Sequence, residues 1–181
     1  MTVKELSLSA TDELLAAAQQ DDTEAFRNLV QHSEGKIAAF LRTLLGPIPL
    51  AEDLGQDVFL KAFASLKRFQ REEEFQLFLL HTAVAIVMPV LKKQSRREFN
   101  QSVDPVSAIK NADQPMDRYE IFQFIFNHLE PELQVVIALR LIEGYSVTQM
   151  EKILDVSKEA IIERLALAQS RIRYALEETL R

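Results

Sequence analysis

The sequence predicts an all-α protein with two helical domains joined by a linker, the second of which contains a helix-turn-helix. Apolar residues recur at spacings of three and four along most of the chain, which is the period of an amphipathic helix. The alternation of β-branched and aromatic residues that marks strands is hard to find. With 4 Gly and 6 Pro in 181 residues, turn-forming residues are few, and the 48% apolar content is enough to bury a core.

The first three predicted helices begin and end at capping residues and at prolines. The first is capped at Ser9 or Thr11. The second begins near Asp22 and ends at Gly46, and the third begins after Pro49.

The fourth predicted helix, about residues 75–97, follows a polar segment and is apolar on every side between Thr82 and Leu91. Pro89 removes a backbone donor from this stretch and should kink the helix. An all-round apolar helix is normally buried, so either the other domain covers it or it is a contact surface for another protein. Its longest apolar run is too short to span a bilayer.

Residues 98–115 are polar and hold few large apolar side chains, which predicts a linker. The linker divides the chain into an N-terminal domain, residues 1–97, and a C-terminal domain, residues 116–181. A fifth helix covers about residues 116–128. Pro131 lies in the first turn of the sixth helix, where its missing N–H costs little.

The C-terminal domain is predicted to contain a helix-turn-helix. An apolar helical stripe stops at Gly144, and Ser146 with Gln149 three residues later forms a capping box for a short helix. Asp155 breaks that helix, and Ser157 can cap a last helix that continues to the C-terminus. In this arrangement the second helix normally enters the major groove of DNA.

Charge alone does not decide whether this helix-turn-helix binds DNA. Residues 146–181 contain six basic and six acidic side chains, which gives no net attraction to phosphate. The net charge of −6 argues against a general nucleic-acid coating protein. It is compatible with a protein that contacts DNA only while a larger partner holds it.

Other chemistry finds little support in the residues. The chain has no cysteine, which excludes disulfides and thiolate sites. Its three histidines, His32, His81 and His128, are too scattered for a metal site, and no Gly-rich phosphate loop or Ser–His–Asp pattern is present. We therefore expect no enzyme, no catalytic residue, no metal and no cofactor. The sequence also lacks the pattern of a signal peptide.

Several segments resemble one bacterial family. Residues 51–63, AEDLGQDVFLKAF, resemble the signature helix of extracytoplasmic-function (ECF) sigma factors. Residues 22–30 resemble the opening helix of that family, and short segments within residues 129–154 resemble its C-terminal domain. The resemblance covers nearly the whole chain in the right order, and it implies the same two-domain helical fold.

In that family, the helix that residues 51–63 resemble docks on the clamp coiled coil of RNA polymerase. The spacing by itself predicts an amphipathic helix with an acidic face, because residues three and four apart share one side. The resemblance implies that this face binds polymerase through Glu52, Asp53, Gln56, Asp57 and Leu60.

The helices that contact DNA in the family are altered here. Phe78 stands where the family has a Trp that helps to melt the minus-ten promoter element, Ala85 where it has an Asn, and His81 where it usually has an Arg. In the recognition helix Arg164 is kept, but Ile162, Leu167 and Gln169 replace cations. The candidate DNA-binding residues are Lys61, His81, Lys92, Lys93, Arg96, Arg97, Gln149, Ser157, Lys158 and Arg164.

The resemblance implies a cytoplasmic, non-catalytic sigma factor that binds core RNA polymerase and directs promoter-specific initiation. It implies that promoter DNA is bound weakly without polymerase, that an anti-sigma factor is a further partner to consider, and that the chain does not insert into membranes. The alternative is a sigma-like protein that keeps protein binding but has lost promoter recognition, acting as an adaptor, decoy or partner-switch component. The helix that resembles the polymerase-docking helix keeps the family pattern, whereas both helices that resemble the DNA-contacting helices have lost basic or polar residues. Both interpretations therefore stay open.

Overall fold

The computed structural model describes residues 10–46, 48–99, 104–112 and 116–179, which form helices and turns with no strand among them. The helices of the N-terminal half are α1 (Ala10–Ala18), α2 (Thr23–Leu45), α3 (Pro49–Ser65) and α4 (Glu72–Phe99), with a short 3₁₀ turn at Leu66–Arg68. Those of the C-terminal half are α5 (Pro105–Lys110), α6 (Arg118–Asn127), α7 (Pro131–Ile137), α8 (Val147–Leu154) and α9 (Lys158–Thr179). The prediction of an all-α fold is confirmed.

α2 and α3 begin close to the predicted positions, whereas Thr11, one of the two predicted caps of the first helix, is the second residue of α1. The Asp22 side chain accepts hydrogen bonds from the backbone N–H groups of Glu24 and Ala25, which caps α2. Gly46 ends the same helix with a φ of 80°, a conformation that favours glycine. The predicted cap at Ser9 lies outside the described residues.

The helix-turn-helix is built as the sequence predicts. The Ser146 hydroxyl accepts from the backbone N–H of Gln149, and the Gln149 side chain accepts from the backbone N–H of Ser146, which completes the capping box. Asp155 ends α8 in the left-handed conformation, with a φ of 52°. The Ser157 hydroxyl then accepts from the backbone N–H of Ala160 in the first turn of α9.

Two local features of the C-terminal half differ from the prediction. The segment expected to be a linker contains α5, which is capped by the Asp104 side chain and packs Ile109 against α6 and α9. After α7, residues Ala138–Ile142 form a π-helical turn, a rare element that no residue pattern in this stretch indicates.

α4 lies in the centre of the molecule. It packs against α2 and α3 on one side and against α7 and α8 on the other. Its buried positions between residues 75 and 91 are Phe75, Leu77, Leu79, Leu80, Thr82, Ala83, Val87 and Leu91. The other half of the chain therefore covers part of the apolar helix, whereas Ala85 and Pro89 remain exposed.

Pro89 lies inside α4, and the helix continues past it to Phe99. Among the described residues, α4 is also the one helix long and apolar enough to cross a bilayer. The sequence prediction was that its longest apolar run is too short to do so. Half of the apolar window is buried within the protein, and the core helix of a globular protein passes the same test.

Truncating a central side chain of α4 should destabilise the whole fold. Leu79 is fully buried, so we expect Leu79→Ala to lower the free energy of unfolding by about 2–5 kcal/mol. Leu60→Ala makes the same chemical change at a side chain that is 70% exposed, and should change stability by less than about 0.5 kcal/mol. Urea denaturation followed by circular dichroism measures both. Equal losses in the two variants would contradict the central position of α4.

Candidate polymerase and DNA interfaces

An open groove of about 780 Å³ lies between α2 and α3. Phe26 and Val30 of α2 form one wall, and Phe59, Leu60 and Phe63 of α3 form the other. The rings of Phe26 and Phe63 meet edge to face, with their centroids 4.7 Å apart. Because Phe63 remains 55% exposed, this groove presents apolar surface to a partner.

The five residues predicted to bind polymerase all lie on the exposed surface of α3. Glu52, Gln56 and Leu60 line the groove, whereas Asp53 and Asp57 lie on the adjoining exposed face. The predicted polymerase-binding residues therefore lie in two neighbouring strips on α3 and not on one face.

Sequence reasoning missed two aromatic residues of the groove. By its helical period alone, the sequence places Phe59 and Phe63 on the apolar face of this helix with Leu54, Val58 and Ala62, apart from the acidic face. The structure turns them toward the groove, and Phe63 is mostly exposed. Phe59 follows Gln56 by three residues and Phe63 follows it by seven, and this helical spacing was the signal that could have joined them to the predicted docking face.

A second cleft, of about 940 Å³, lies where α4 meets the C-terminal half. Its floor is apolar and is formed by Val84, Ala85, Met88, Pro89 and Leu154. Its rim is basic: four of the predicted DNA-binding residues line it, namely His81, Lys92, Lys93 and Arg96.

Two of these rim residues already bind the C-terminal half of the chain. His81 Nδ1 lies 2.9 Å from the backbone oxygen of Ile153 in α8. Lys92 Nζ lies 2.9 Å from Glu132 Oε1 in α7. The cleft is therefore closed at these points by contacts between the two halves.

Glu132 pairs with Lys92 and is also affected by the charge of Arg164. Partial burial raises the pKa of this carboxyl group, but the hydrogen bond from Lys92, a backbone hydrogen bond and the charges of Lys92 and Arg164 outweigh that effect. The net result is a pKa below the ordinary value of a glutamate. Lys92 of α4 thus binds this carboxylate directly, whereas Arg164 of α9 acts on it only through its charge.

The remaining candidate DNA-binding residues are spread over the surface. Lys61 is exposed on α3, and Lys158 pairs with Glu151 at 3.7 Å. The side chains of Gln149 and Ser157 are engaged in capping α8 and α9. The side chain of Arg97 lies outside the described part of the structure. The structure does not bring this group together into one surface.

The outer face of α9 is partly apolar, and the helix carries four basic and four acidic residues, so it has no net charge. Ile162 is 55% exposed, Leu167 46% and Tyr174 65%. Glu159 and Glu163 are exposed beside them and repel phosphate. The recognition helix therefore contributes little electrostatic attraction to DNA.

A third contact joins the two halves at α2. Lys36 Nζ of α2 lies 5.6 Å from the ring centroid of Tyr145, which precedes α8. Tyr145 is buried, and burial raises the pKa of its hydroxyl group, an effect that the Lys36 charge opposes. Arg140 Nη1 donates to the backbone oxygen of Tyr145 at 3.0 Å and fixes the loop.

Comparison with known proteins identifies this arrangement. Two family models match neighbouring parts of the chain: Sigma-70 region 2 over residues 29–97 and ECF sigma factor over residues 93–178. The ECF RNA polymerase sigma-E factor of Escherichia coli is 28% identical over 193 residues, covering 97% of this chain and all of the relative. That of Haemophilus influenzae is 26% identical over 178 residues, covering 91% and 94%.

Solved structures share the fold. CnrH in complex with the cytosolic domain of CnrY superimposes with a TM-score of 0.68 at 22% identity, over 93% of this chain and 98% of that one. The sigma factor RpoE in complex with the anti-sigma factor NepR from Bartonella quintana gives 0.64 at 21%, over 86% and 98%.

The helical fold and the two matching family models define the class of sigma factors. Within that class, the two family models together span residues 29–178, and the relatives match over nearly their full length. The chain belongs to the ECF sigma factor family.

Removing the Lys92 charge should raise the pKa of Glu132. In Lys92→Met the carboxylate loses its ion pair, so its pKa should move up toward or above the ordinary glutamate value. An NMR pH titration of the Glu132 carboxyl carbon measures the change, and Lys93→Met is the matched control with no expected effect. Because the native pKa is depressed, the stabilisation from this pair is present above the unfolded pKa and is lost as pH falls through the folded one. An unchanged pKa in Lys92→Met would contradict the pairing.

Proposed function

We propose that this protein binds core RNA polymerase in the cytoplasm and directs promoter-specific initiation of transcription, without catalysing a reaction itself. The observation that carries the proposal is the exposed α3 groove with its acidic border, in a chain of the ECF sigma factor family. In this proposal residues 1–97 dock on polymerase and engage the minus-ten region, and residues 116–181 engage the upstream element through the helix-turn-helix. Residues 98–115 connect them.

The chemistry of the α3 surface supports a protein partner with apolar and basic residues. Leu60 and Phe63 are exposed apolar side chains of the kind that anchor interfaces when a partner buries them. Glu52, Asp53 and Asp57 surround them with negative charge, which favours and orients a basic partner surface.

The DNA-contacting role rests on the basic rim of α4. Lys92, Lys93 and Arg96 are three or four residues apart or adjacent, and they line the same cleft. Three cations release few counterions on binding, and the net charge of the chain is −6. We therefore expect polymerase to supply much of the attraction to promoter DNA, with weak binding by the isolated protein.

The proposal is tested by binding and by transcription. The purified protein is mixed with core RNA polymerase, recovered by pull-down, and the complex is used for run-off transcription from mixed genomic DNA. We expect discrete transcripts that depend on this protein. Failure to bind polymerase would overturn the proposal, and binding without any dependent transcript would contradict promoter recognition.

Reversing charge on the docking surface should weaken polymerase binding. Asp53→Lys with Asp57→Lys places two cations where a basic partner is expected, so the dissociation constant should rise roughly tenfold or more, while the fold is unchanged. Titration of labelled protein with core polymerase measures the constant. The control is Glu73→Lys with Glu177→Lys, which changes the net charge equally at exposed sites on α4 and α9. Equal affinities of the two double variants for polymerase would show that α3 is not the docking helix.

A further inference from the structure

We infer that α9 reads pyrimidine bases in the upstream promoter element. In this inference Ile162 and Ala166 pack against thymine methyl groups, and Glu163 accepts a hydrogen bond from a cytosine amino group. The inference rests on the proposed function, because it names the bases that the helix-turn-helix selects. It concerns contacts with base edges, which determine the choice of sequence.

The first two turns of α9 present one exposed face. Its members lie three or four positions apart and therefore share one side of the helix: Glu159, Ile162, Glu163 and Ala166. The buried residues lie on the opposite side, where α5, α6, α7 and α8 pack: Ile161, Ala168, Ile172 and Ala175. In a helix-turn-helix, residues at the N-terminal end of the second helix contact base edges in the major groove. This exposed face is the one placed to meet them.

The carboxylates of this face disfavour guanine and favour cytosine. Guanine presents the acceptors O6 and N7, which are commonly read by arginine or lysine, and none of the four residues of the face is a cation. An ionised carboxylate only accepts hydrogen bonds, so Glu163 opposite guanine sets acceptor against acceptor. Cytosine instead presents its N4 amino group, which donates to a carboxylate. Glu163 therefore selects cytosine on the strand that it faces.

Ile162 has the exposure and the chemistry for contact with a thymine methyl group. Its side chain is 55% exposed in the free protein, and Ala166, one turn further along the same face, is exposed and small. The C5 methyl group of thymine projects into the major groove, where apolar side chains recognise it by contact. Burying one methyl group removes apolar surface from water, which corresponds to roughly fourfold in affinity.

Two cations of α9 lie beside this face and not on it. Lys158 and Arg164, both predicted to bind DNA, are half-buried and lie on either side of the four exposed residues. Contacts from such cations to phosphates fix the position of a helix on the duplex but carry no sequence information directly. The choice of bases is therefore left to the exposed face, with its two apolar and two acidic side chains.

Removing thymine methyl groups from the DNA tests the apolar contact. A promoter recovered by the run-off experiment is prepared with thymine or with deoxyuridine throughout its upstream element, and the two bases differ only in that methyl group. The complex of this protein with core polymerase should bind the deoxyuridine duplex about two- to fivefold more weakly for each contacted methyl group. Fluorescence anisotropy of the labelled duplexes measures both dissociation constants. Equal constants, or recovered upstream elements without thymine, would overturn the inference.

Two truncations on α9 assign the methyl contact to one side chain. Ile162→Ala should lose the preference for thymine over deoxyuridine, whereas Ile162→Val should keep most of it, because valine retains a branched apolar side chain. Leu167→Ala is the matched control, since Leu167 is 46% exposed on the same helix but points to a different side, five positions after Ile162. It should discriminate as the wild-type protein does. An unchanged preference in Ile162→Ala, or an equal loss in Leu167→Ala, would overturn the inference.

Exchanging base pairs tests the cytosine contact. Each C·G pair of the upstream element is replaced in turn by G·C, and the wild-type complex should lose roughly tenfold in affinity at the pair that faces Glu163. Glu163→Arg should prefer the exchanged pair, because arginine donates to guanine O6 and N7. Glu177→Arg makes the same charge change at an exposed position near the other end of α9 and should keep the wild-type preference. The absence of any pair at which the two variants differ in preference would contradict the cytosine contact.

Transcription separates this inference from the proposed function. Run-off from mixed genomic DNA reports promoter-dependent initiation whether or not α9 reads pyrimidines. Discrete transcripts together with equal binding of the thymine and deoxyuridine duplexes would overturn the inference and leave the proposed function standing. The absence of any transcript that depends on this protein would overturn both. If the exposed face binds a protein and not DNA, Ile162→Ala would weaken binding of both duplexes equally, and this outcome also counts against base reading.

Discussion

The burial of α4 is the constraint on which the rest of the structure depends. This helix is 28 residues long and carries apolar side chains on most of its circumference, so no single neighbouring layer can cover it. α2 and α3 cover one side, and α7 and α8 cover the other. At about 25 cal/mol per Å² of buried apolar surface, this coverage favours keeping the two halves of the chain together.

The same helix carries the residues proposed to contact promoter DNA, so stability and function make opposite demands on it. Phe78 stands where the family has a tryptophan, and its ring packs against Phe69 with centroids 5.0 Å apart. Ala85 and Met88 form part of the apolar floor of the cleft. Phe78 thus packs within the N-terminal half, and the apolar Ala85 and Met88 reduce the polar surface of α4 left for DNA.

The proposed docking surface avoids this conflict because it lies between α2 and α3, away from the cleft of α4. α3 buries Ala51, Val58 and Ala62 toward the core and presents its groove residues outward. The small buried residues let α3 pack closely on α2 and α4, while the large side chains at Leu60 and Phe63 remain available for a partner.

The sequence by itself determined the helices, because their caps are local. Asp22, Ser146 and Ser157 cap the helices that follow them, and Gly46 ends α2, through hydrogen bonds and backbone angles set within a few residues. It also determined the family, because the matching segments are contiguous.

Only the tertiary structure decided which faces are used. The helical period groups Phe63 with the apolar residues of α3, but in the structure its side chain lines the groove between α2 and α3 and is 55% exposed. The pairing of Lys92 with Glu132 joins residues forty positions apart, and no local pattern encodes such a contact. The same holds for α5. The polar residues of this segment suggested a linker, but Asp104 caps a helix there, and Ile109 of that helix is buried against α6 and α9. Local chemistry thus set the elements, whereas packing between distant elements set the surfaces on which function depends.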